Sequence, residues 1–113
     1  MKRNEIWLIN LDPTVGAEIQ KTRPAIIVND DALGILPLRV IVPITDWKDR
    51  YDVANWMVRI EPDSDNSLTK TSSVDCFQIR SVSKDRFIKK RGFVSDSIME
   101  EIETALIHVL KIR

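Results

Sequence analysis

Two apolar runs near the N-terminus, Ile6–Leu11 and Ala25–Val28, constrain the fold more than anything else in the chain. Both have the length and the nearly continuous apolar composition of buried strands. The connection between them carries Asp12-Pro13, Gly16, Glu18, Lys21, Thr22 and Arg23-Pro24. It is too long for a tight hairpin, and connections of this length inside compact domains are commonly functional. This one places a carboxylate and an arginine close to the start of a strand.

The rest of the chain supplies partners for these two strands. Glu5–Leu11 and Pro24–Asn29 are the first pair, and Asn29-Asp30-Asp31 with Gly34 marks a turn. Leu38–Ile44 is a third strand, and Pro43 near its end predicts an edge or a bulge. Thr45 follows at the mouth of the loop TDWKDRYDVA. Asn55–Ile60 alternates as a fourth strand, and Glu61–Asn66 is a polar turn. Thr71–Ser83 gives one or two further strands, and Phe87–Val94 a last one with Gly92 at a bulge or turn.

The period then changes. Ile98, Met99, Ile102, Ala105, Leu106, Val109 and Leu110 share one face at helical spacing. Ser95 or Ser97 can cap the helix, and Ser97 and Glu100 have capping-box spacing. Asp96, Glu100, Glu101 and Glu103 early, with Lys111 and Arg113 late, suit the helix dipole. The expected fold is mainly β with helices (α+β): a small twisted β-barrel or curled sheet, with a C-terminal helix packed on it. At 113 residues, a little under the usual single-domain size, residues 1–113 are expected to form one domain.

Composition narrows the function classes. With 43% hydrophobic and 30% charged residues the chain is not of the disordered type. No apolar run approaches the roughly 20 residues that cross a bilayer, so no membrane role is expected. The charged MKRNE start is unlike a signal peptide. A lone Cys76 excludes an internal disulfide and fits a reducing, cytoplasmic setting. The 17 basic and 17 acidic residues cancel, unlike a non-specific nucleic-acid binder. Lys84–Arg91 (KDRFIKKR) is nonetheless locally basic, either a strip for phosphates or a solvated edge.

The sequence has no P-loop, no GxGxxG after a strand, no HExxH and no CxxC, so neither a metal site nor a cofactor is expected. The only histidine, His108, falls off the apolar face of the last helix. Asp30-Asp31 and Asp63/Asp65 have the look of turn formers. Cys76 beside Phe77 reads as a core or half-buried strand residue. Arginine, threonine and glutamate remain. They suit phosphate chemistry: a guanidinium fork donates in parallel to a phosphate, and a hydroxyl adds a further bond. A carboxylate can take the proton of a ribose 2′-OH, the group that would select RNA over DNA.

The residues also match a known pattern. EIWLINLDPTVGAEIQKTRPAIIV resembles the opening of the MazF/PemK family of toxin endoribonucleases. IVPIT, ending at Thr45, is similar to the family's third-strand motif, and SSVDCFQIRSVSKDRF to its segment built around a glutamine and a following basic residue. The three motifs occur in order and span nearly the whole chain. The resemblance implies an SH3-like, CcdB-like barrel with a C-terminal helix. It also implies a homodimer that cleaves single-stranded RNA without a metal, leaving a 2′,3′-cyclic phosphate and a 5′-OH. A cognate antitoxin would be its protein partner.

By position, Arg23 and Thr45 correspond to the family's catalytic pair, Glu18 to the acid of the loop, and Gln78 to a substrate-side glutamine. Gly16 and Ala17 in the loop, Phe77 before the glutamine, and Trp47 after Thr45 complete the candidate substrate contacts, with Tyr51 a further stacking face. Ala17 stands where members often have serine, Ile19 where many have glutamine, and Phe77 where some have an acid. Arginine keeps its proton, so Arg23 and Thr45 are best assigned to stabilising the transition state. Glu18 is either the base or an ion-pair partner that holds the loop. The competing reading is a CcdB-like, non-catalytic toxin that binds gyrase through its C-terminus. The ending Leu110-Lys111-Ile112-Arg113 lacks the Trp, Gly and Ile of that signature.

Overall fold

The computed structural model describes Met1–Ile112. Seven strands and one helix follow in chain order: β1 (Glu5–Asn10), β2 (Thr22–Ile27), β3 (Leu38–Asp46), β4 (Met57–Ile60), β5 (Ser72–Asp75), β6 (Arg80–Ser83), β7 (Phe87–Phe93) and α1 (Asp96–Leu110). Every ladder is antiparallel, in the order β4-β5-β3-β2-β1-β7, with β6 on the first half of β3. β3 is the hinge of the sheet. Leu38–Ile41 pairs with β6, and Ile44–Asp46 pairs with β5.

The sheet curls without closing through a ladder. Its far ends meet instead where the β4–β5 connection touches β7. Phe93 N donates to Asp65 O at 3.1 Å, and Ser67 Oγ donates to Arg91 O. The approach is so close that a Cβ on Gly92 would lie 2.0 Å from Asp65 O. The register against β1 also skips there, with Ile6 opposite Gly92 but Trp7 opposite Lys90. The bulge expected at Gly92 is present.

Pro43 corrects an expectation, because β3 is a central strand and not an edge. The reason lies in backbone alternation. Val40 turns both its N–H, to Asn29 Oδ1, and its C=O, to Val28 N, towards β2. Residues of the other parity, Ile41, Pro43 and Thr45, therefore face the β5/β6 side. Val42 and Pro43 occupy the gap in which β3 passes from β6 to β5, so the missing N–H has no ladder partner to lose.

The other strand limits shift for similar reasons. β2 starts at Thr22, two residues before the proline, and Arg23 and Pro24 pair with Ile9 and Leu8 of β1. By the same alternation Pro24 faces β3, and the β2–β3 ladder runs only from Ala25 to Ile27. Of the one or two strands expected over Thr71–Ser83, two form, separated by a 3-10 turn at Cys76–Gln78, where Asp75 Oδ1 accepts from Phe77 N at 3.1 Å.

Helix α1 is capped by Ser95, whose Oγ accepts from Ile98 N at 3.3 Å. Ser97 lies inside the helix, and the Ser97/Glu100 capping box is not formed. Met99, Ile102 and Ala105 are buried against Ile6, Ile26, Val42, Ile44, Val58 and Val74. Leu110, expected on this face, is 50% exposed. The charge of Arg113 lies outside the described residues. A second core, of Ile9, Leu11, Ala25, Ile27, Ile41 and Val82, sits on the opposite face of the sheet. The long β1–β2 connection lies beside this second core, and Ile19 packs on it.

Candidate active site

The β1–β2 connection is tied down along its length. At its base Leu11 N donates to Lys21 O, and Lys21 N to Asp12 Oδ1, at 2.9 and 3.0 Å. Arg80 donates to Leu11 O, and Arg86 to the carbonyls of Asn10 and Asp12. At its tip Gly16 takes a φ of +61°, a conformation that favours glycine. Glu18 Oε1 accepts from Val15 N at 2.6 Å and bridges that turn. Gln78 clamps the returning arm from across the sheet. Its Oε1 accepts from Ile19 N at 2.6 Å, and its Nε2 donates to Ala17 O at 3.3 Å.

Two clefts open on this side of the sheet. The larger, about 490 Å³, lies under the loop and is lined by Ala17, Glu18 and Ile19, by Pro43 of β3, and by Phe77, Gln78 and Arg80. The smaller, about 170 Å³, contains Arg23, Thr45, Ser67, Lys70 and Arg91. Arg23 and Thr45 share it because of the register. Ala25 opposes Pro43, so continuing both strands by two residues sets Arg23 opposite Thr45 on the same face. There the β2–β3 ladder has ended at Pro24, and the cleft opens between the strands. Arg23 Nε donates to Gln20 O at 3.3 Å, using one of the guanidinium's five donors.

The sequence-predicted residues thus divide between places. Arg23 and Thr45 lie together. Glu18, Ala17, Gln78 and Phe77 line the neighbouring cleft, and Gly16 sits at the loop tip. Trp47 is folded onto the surface beyond Thr45, with the Arg59 guanidinium 5.0 Å over its ring and Tyr51 packed edge-on at 5.9 Å. Sequence reasoning missed Lys70 and singled out Arg91 only as the end of the basic strip Lys84–Arg91. Lys70 pairs with Asp46 at 3.1 Å at the cleft rim. Their presence depends on the closure at Gly92, which no local pattern encodes.

The basic strip is partly committed to structure. Arg86 holds loop carbonyls, and Lys90 pairs with Glu5 at 3.0 Å. Burial, reinforced by the charge of Asp75, pushes the Cys76 thiol up to about 12, so it stays protonated in the core. His108 is exposed on α1. Among the described residues no group of three or more His, Cys, Asp or Glu side chains is placed to hold a metal ion. No helix among them is long and apolar enough to cross a membrane.

What these two clefts can do chemically is recognise an anion and its neighbours. Arginine, threonine, lysine and a second arginine converge on one small volume, suited to a phosphate whose charge rises during reaction. The adjoining cleft, part apolar and part amide, suits a nucleobase.

Comparison with known proteins places the chain in a family. The family model described as PemK-like, MazF-like toxin of type II toxin-antitoxin system matches residues 2–110. The chain is 36% identical to endoribonuclease PemK of Escherichia coli over 104 residues, which is 90% of this chain and 76% of that protein. It is 32% identical to endoribonuclease MazF of Staphylococcus epidermidis over 107 residues, 94% of this chain and 88% of the other. The fold is similar to that of MazF from Deinococcus radiodurans, with a TM-score of 0.82 at 19% identity over 99% of this chain and 97% of that one. It is also similar to a mycobacterial endoribonuclease solved in complex with its cognate antitoxin, with a TM-score of 0.79 at 23% identity over 100% and 97%. The match over residues 2–110, together with a relative 36% identical, shows that this chain belongs to the PemK-like, MazF-like toxin family of type II toxin-antitoxin systems.

Proposed function

We propose that this toxin is a metal-independent, sequence-selective endoribonuclease acting on single-stranded RNA. The observation that carries the reading is the register that sets Arg23 opposite Thr45, where the β2–β3 ladder ends, in a cleft shared with Lys70 and Arg91. In the proposed step the ribose 2′-oxygen bonds to phosphorus as its proton departs, and the P–O5′ bond breaks. The 5′-oxygen takes up a proton from water. The products are a 2′,3′-cyclic phosphate and a 5′-OH. Arg23 and Thr45 donate to the non-bridging oxygens, which gain negative charge in the pentacovalent transition state. Glu18, which lines the adjoining cleft with Pro43, is proposed to take the 2′-proton. Its bond to Val15 N supports the competing role of loop brace.

The reading extends to partners. The toxin is further proposed to act as a homodimer in the cytoplasm, to slow growth by cutting messenger RNA, and to be neutralised by a cognate antitoxin, the last supported by the similar mycobacterial endoribonuclease solved in complex with its own. The whole described chain serves this one domain.

The test is cleavage of a long RNA in excess EDTA, with 5′ ends mapped across a transcriptome. Arg23→Ala is expected to keep the melting temperature and lose about a hundredfold or more in rate, the usual cost of removing one oxyanion donor. Arg23→Ala cutting at the wild-type rate refutes the assignment. Inhibition of gyrase supercoiling without RNA cleavage would favour the CcdB-like reading instead.

A further inference from the structure

Beside the loop cleft the molecule displays two large aromatic side chains that its core does not use. Phe77 is 66% exposed and Trp56 is 40% exposed. Their rings meet edge to face, with centroids 6.3 Å apart at 68°. The backbone fixes both, since Cys76 N donates to Trp56 O at 3.0 Å. Together with Asp75 and Gln78 they line a recess of about 280 Å³. Asp75 lies at its floor, only 7% exposed, and is oriented by Oδ1 accepting from Phe77 N. Phe77 and Gln78 line both this recess and the cleft beneath the β1–β2 loop, so the two adjoin.

We propose that this recess is a base-reading subsite for a guanine of the RNA substrate, with Phe77 and Trp56 as the stacking walls and Asp75 as the reader. The proposal rests on the ribonuclease reading and deepens it.

The chemistry selects the ligand. An ionised carboxylate only accepts hydrogen bonds, and guanine alone presents two adjacent donors, N1–H and N2–H, on its Watson–Crick edge. Adenine and cytosine place a ring acceptor beside the amine, and uracil a carbonyl on each side of its one donor. Each sets an acceptor against the carboxylate. Exposed aromatic rings supply stacking that any base accepts, so Asp75 gives the selection. A purely apolar occupant is disfavoured by the same residue. It would cover the carboxylate without donors, and burial already raises Asp75 above the usual carboxylate range, against the donors of Phe77 and Gln78.

The experiment is cleavage of a randomised RNA pool by the full chain, with cut sites sequenced, for wild type, Asp75→Asn and Trp56→Ala. Asparagine keeps an oxygen for Phe77 N but presents a donor where guanine also presents one. Wild type is expected to show a guanine at one fixed position relative to the cut. Asp75→Asn should reduce that preference at least tenfold among the sites that are still cut. Trp56→Ala should weaken cutting of guanine-containing sites while retaining the preference. Cutting with no fixed guanine, an Asp75→Asn profile equal to wild type, or a Trp56→Ala change confined to oligomeric state each overturns the subsite. No cutting of any RNA by folded wild type overturns the ribonuclease reading itself, a separate outcome.

Discussion

Replacing Gly92 by alanine tests how the curled sheet is held shut and what keeps the Arg23–Thr45 cleft walled. The backbone at Gly92 is in the ordinary φ range, so conformational strain is not the issue. Alanine would even restrict the unfolded chain, a gain of about 0.4–1 kcal/mol. Against this, the new Cβ would lie 2.0 Å from Asp65 O, 3.1 Å from Asp65 C and 3.3 Å from Asn66 Cα. Reaching ordinary contact requires the 65–66 backbone to retreat by about 1.5 Å. That movement breaks the Phe93 N to Asp65 O bond and strains the Ser67–Arg91 contact, at about 1 kcal/mol each.

It also disturbs Asn66, which is 1% exposed and bonded to Glu61 O, Asp63 N and Leu68 N. Disturbing these bonds adds about 1–2 kcal/mol. The clash outweighs the entropy gain, with a net loss of about 2–3 kcal/mol. For a chain of this size that is a fall in Tm of about 8–15 °C. Thermal unfolding followed by circular dichroism measures it, and RNA cleavage at a temperature where the variant is folded should also fall, because Ser67, Lys70 and Arg91 leave their places in the cleft. A Tm equal to or above wild type would refute the reasoning. It would mean that Asp65 yields freely and that the contact closes nothing.

Other perturbations probe separate parts of the same frame. Burial works against the Glu5 carboxylate, but the donors at Lys2 N, Trp7, Lys90 and the N-terminus outweigh it and hold it at about 2, against an ordinary 4.5. Its stabilisation is therefore present above pH ~4.5 and lost as pH falls towards 2, and Glu5→Gln should flatten that part of a stability-against-pH profile by up to about 2 kcal/mol. An unchanged acid limb would contradict this. Gln78→Ala removes both bonds that clamp the loop, and amide exchange at Ile19 should rise at least tenfold with a Tm loss of about 2–6 °C; protection left intact would show that the loop holds itself. Glu18→Gln keeps an oxygen for Val15 N but is no base, so a rate loss of about a hundredfold assigns the proton transfer to Glu18, and wild-type cutting assigns it to the loop alone.

The strands and the helix were legible because their signals are local: apolar runs, alternation, and a change to helical period. What the sequence obscured depends on partners. Pro43 suggests an edge to any rule that assumes a strand keeps one partner on each side, whereas β3 changes partners at that residue. Ser97 has the spacing of a capping box, yet Ser95 begins the helix. Arg23 and Thr45 could be matched by resemblance, but their juxtaposition comes from the Ala25–Pro43 register, which is set by packing between strands distant in sequence. Lys70 and Trp56 carried no signal, and Arg91 stood out only as part of the basic strip Lys84–Arg91. They reach the site only through the Gly92 closure and the turn at Cys76–Gln78.

The two prolines also explain how the Arg23–Thr45 cleft can lie inside a sheet instead of in a loop above it. A continuous β2–β3 ladder would draw Arg23 and Thr45 into ordinary strand packing. Pro24 offers β3 no N–H, and the ladder stops at Ala25. Pro43 sits where β3 has no partner on its other side. The opening is therefore covalent in origin and does not depend on a lid, which suits groups that must be in place before charge develops on phosphorus. The loop cleft is different. Its shape rests on Gln78 and on the Glu18–Val15 bond, contacts that water or an RNA strand can replace. On the proposed function, the fixed part performs the chemistry and the adjustable part chooses the sequence. Substitutions at Ala17, Ile19 or Phe77 should then redirect cleavage to other sites while leaving the rate at a preferred site nearly unchanged.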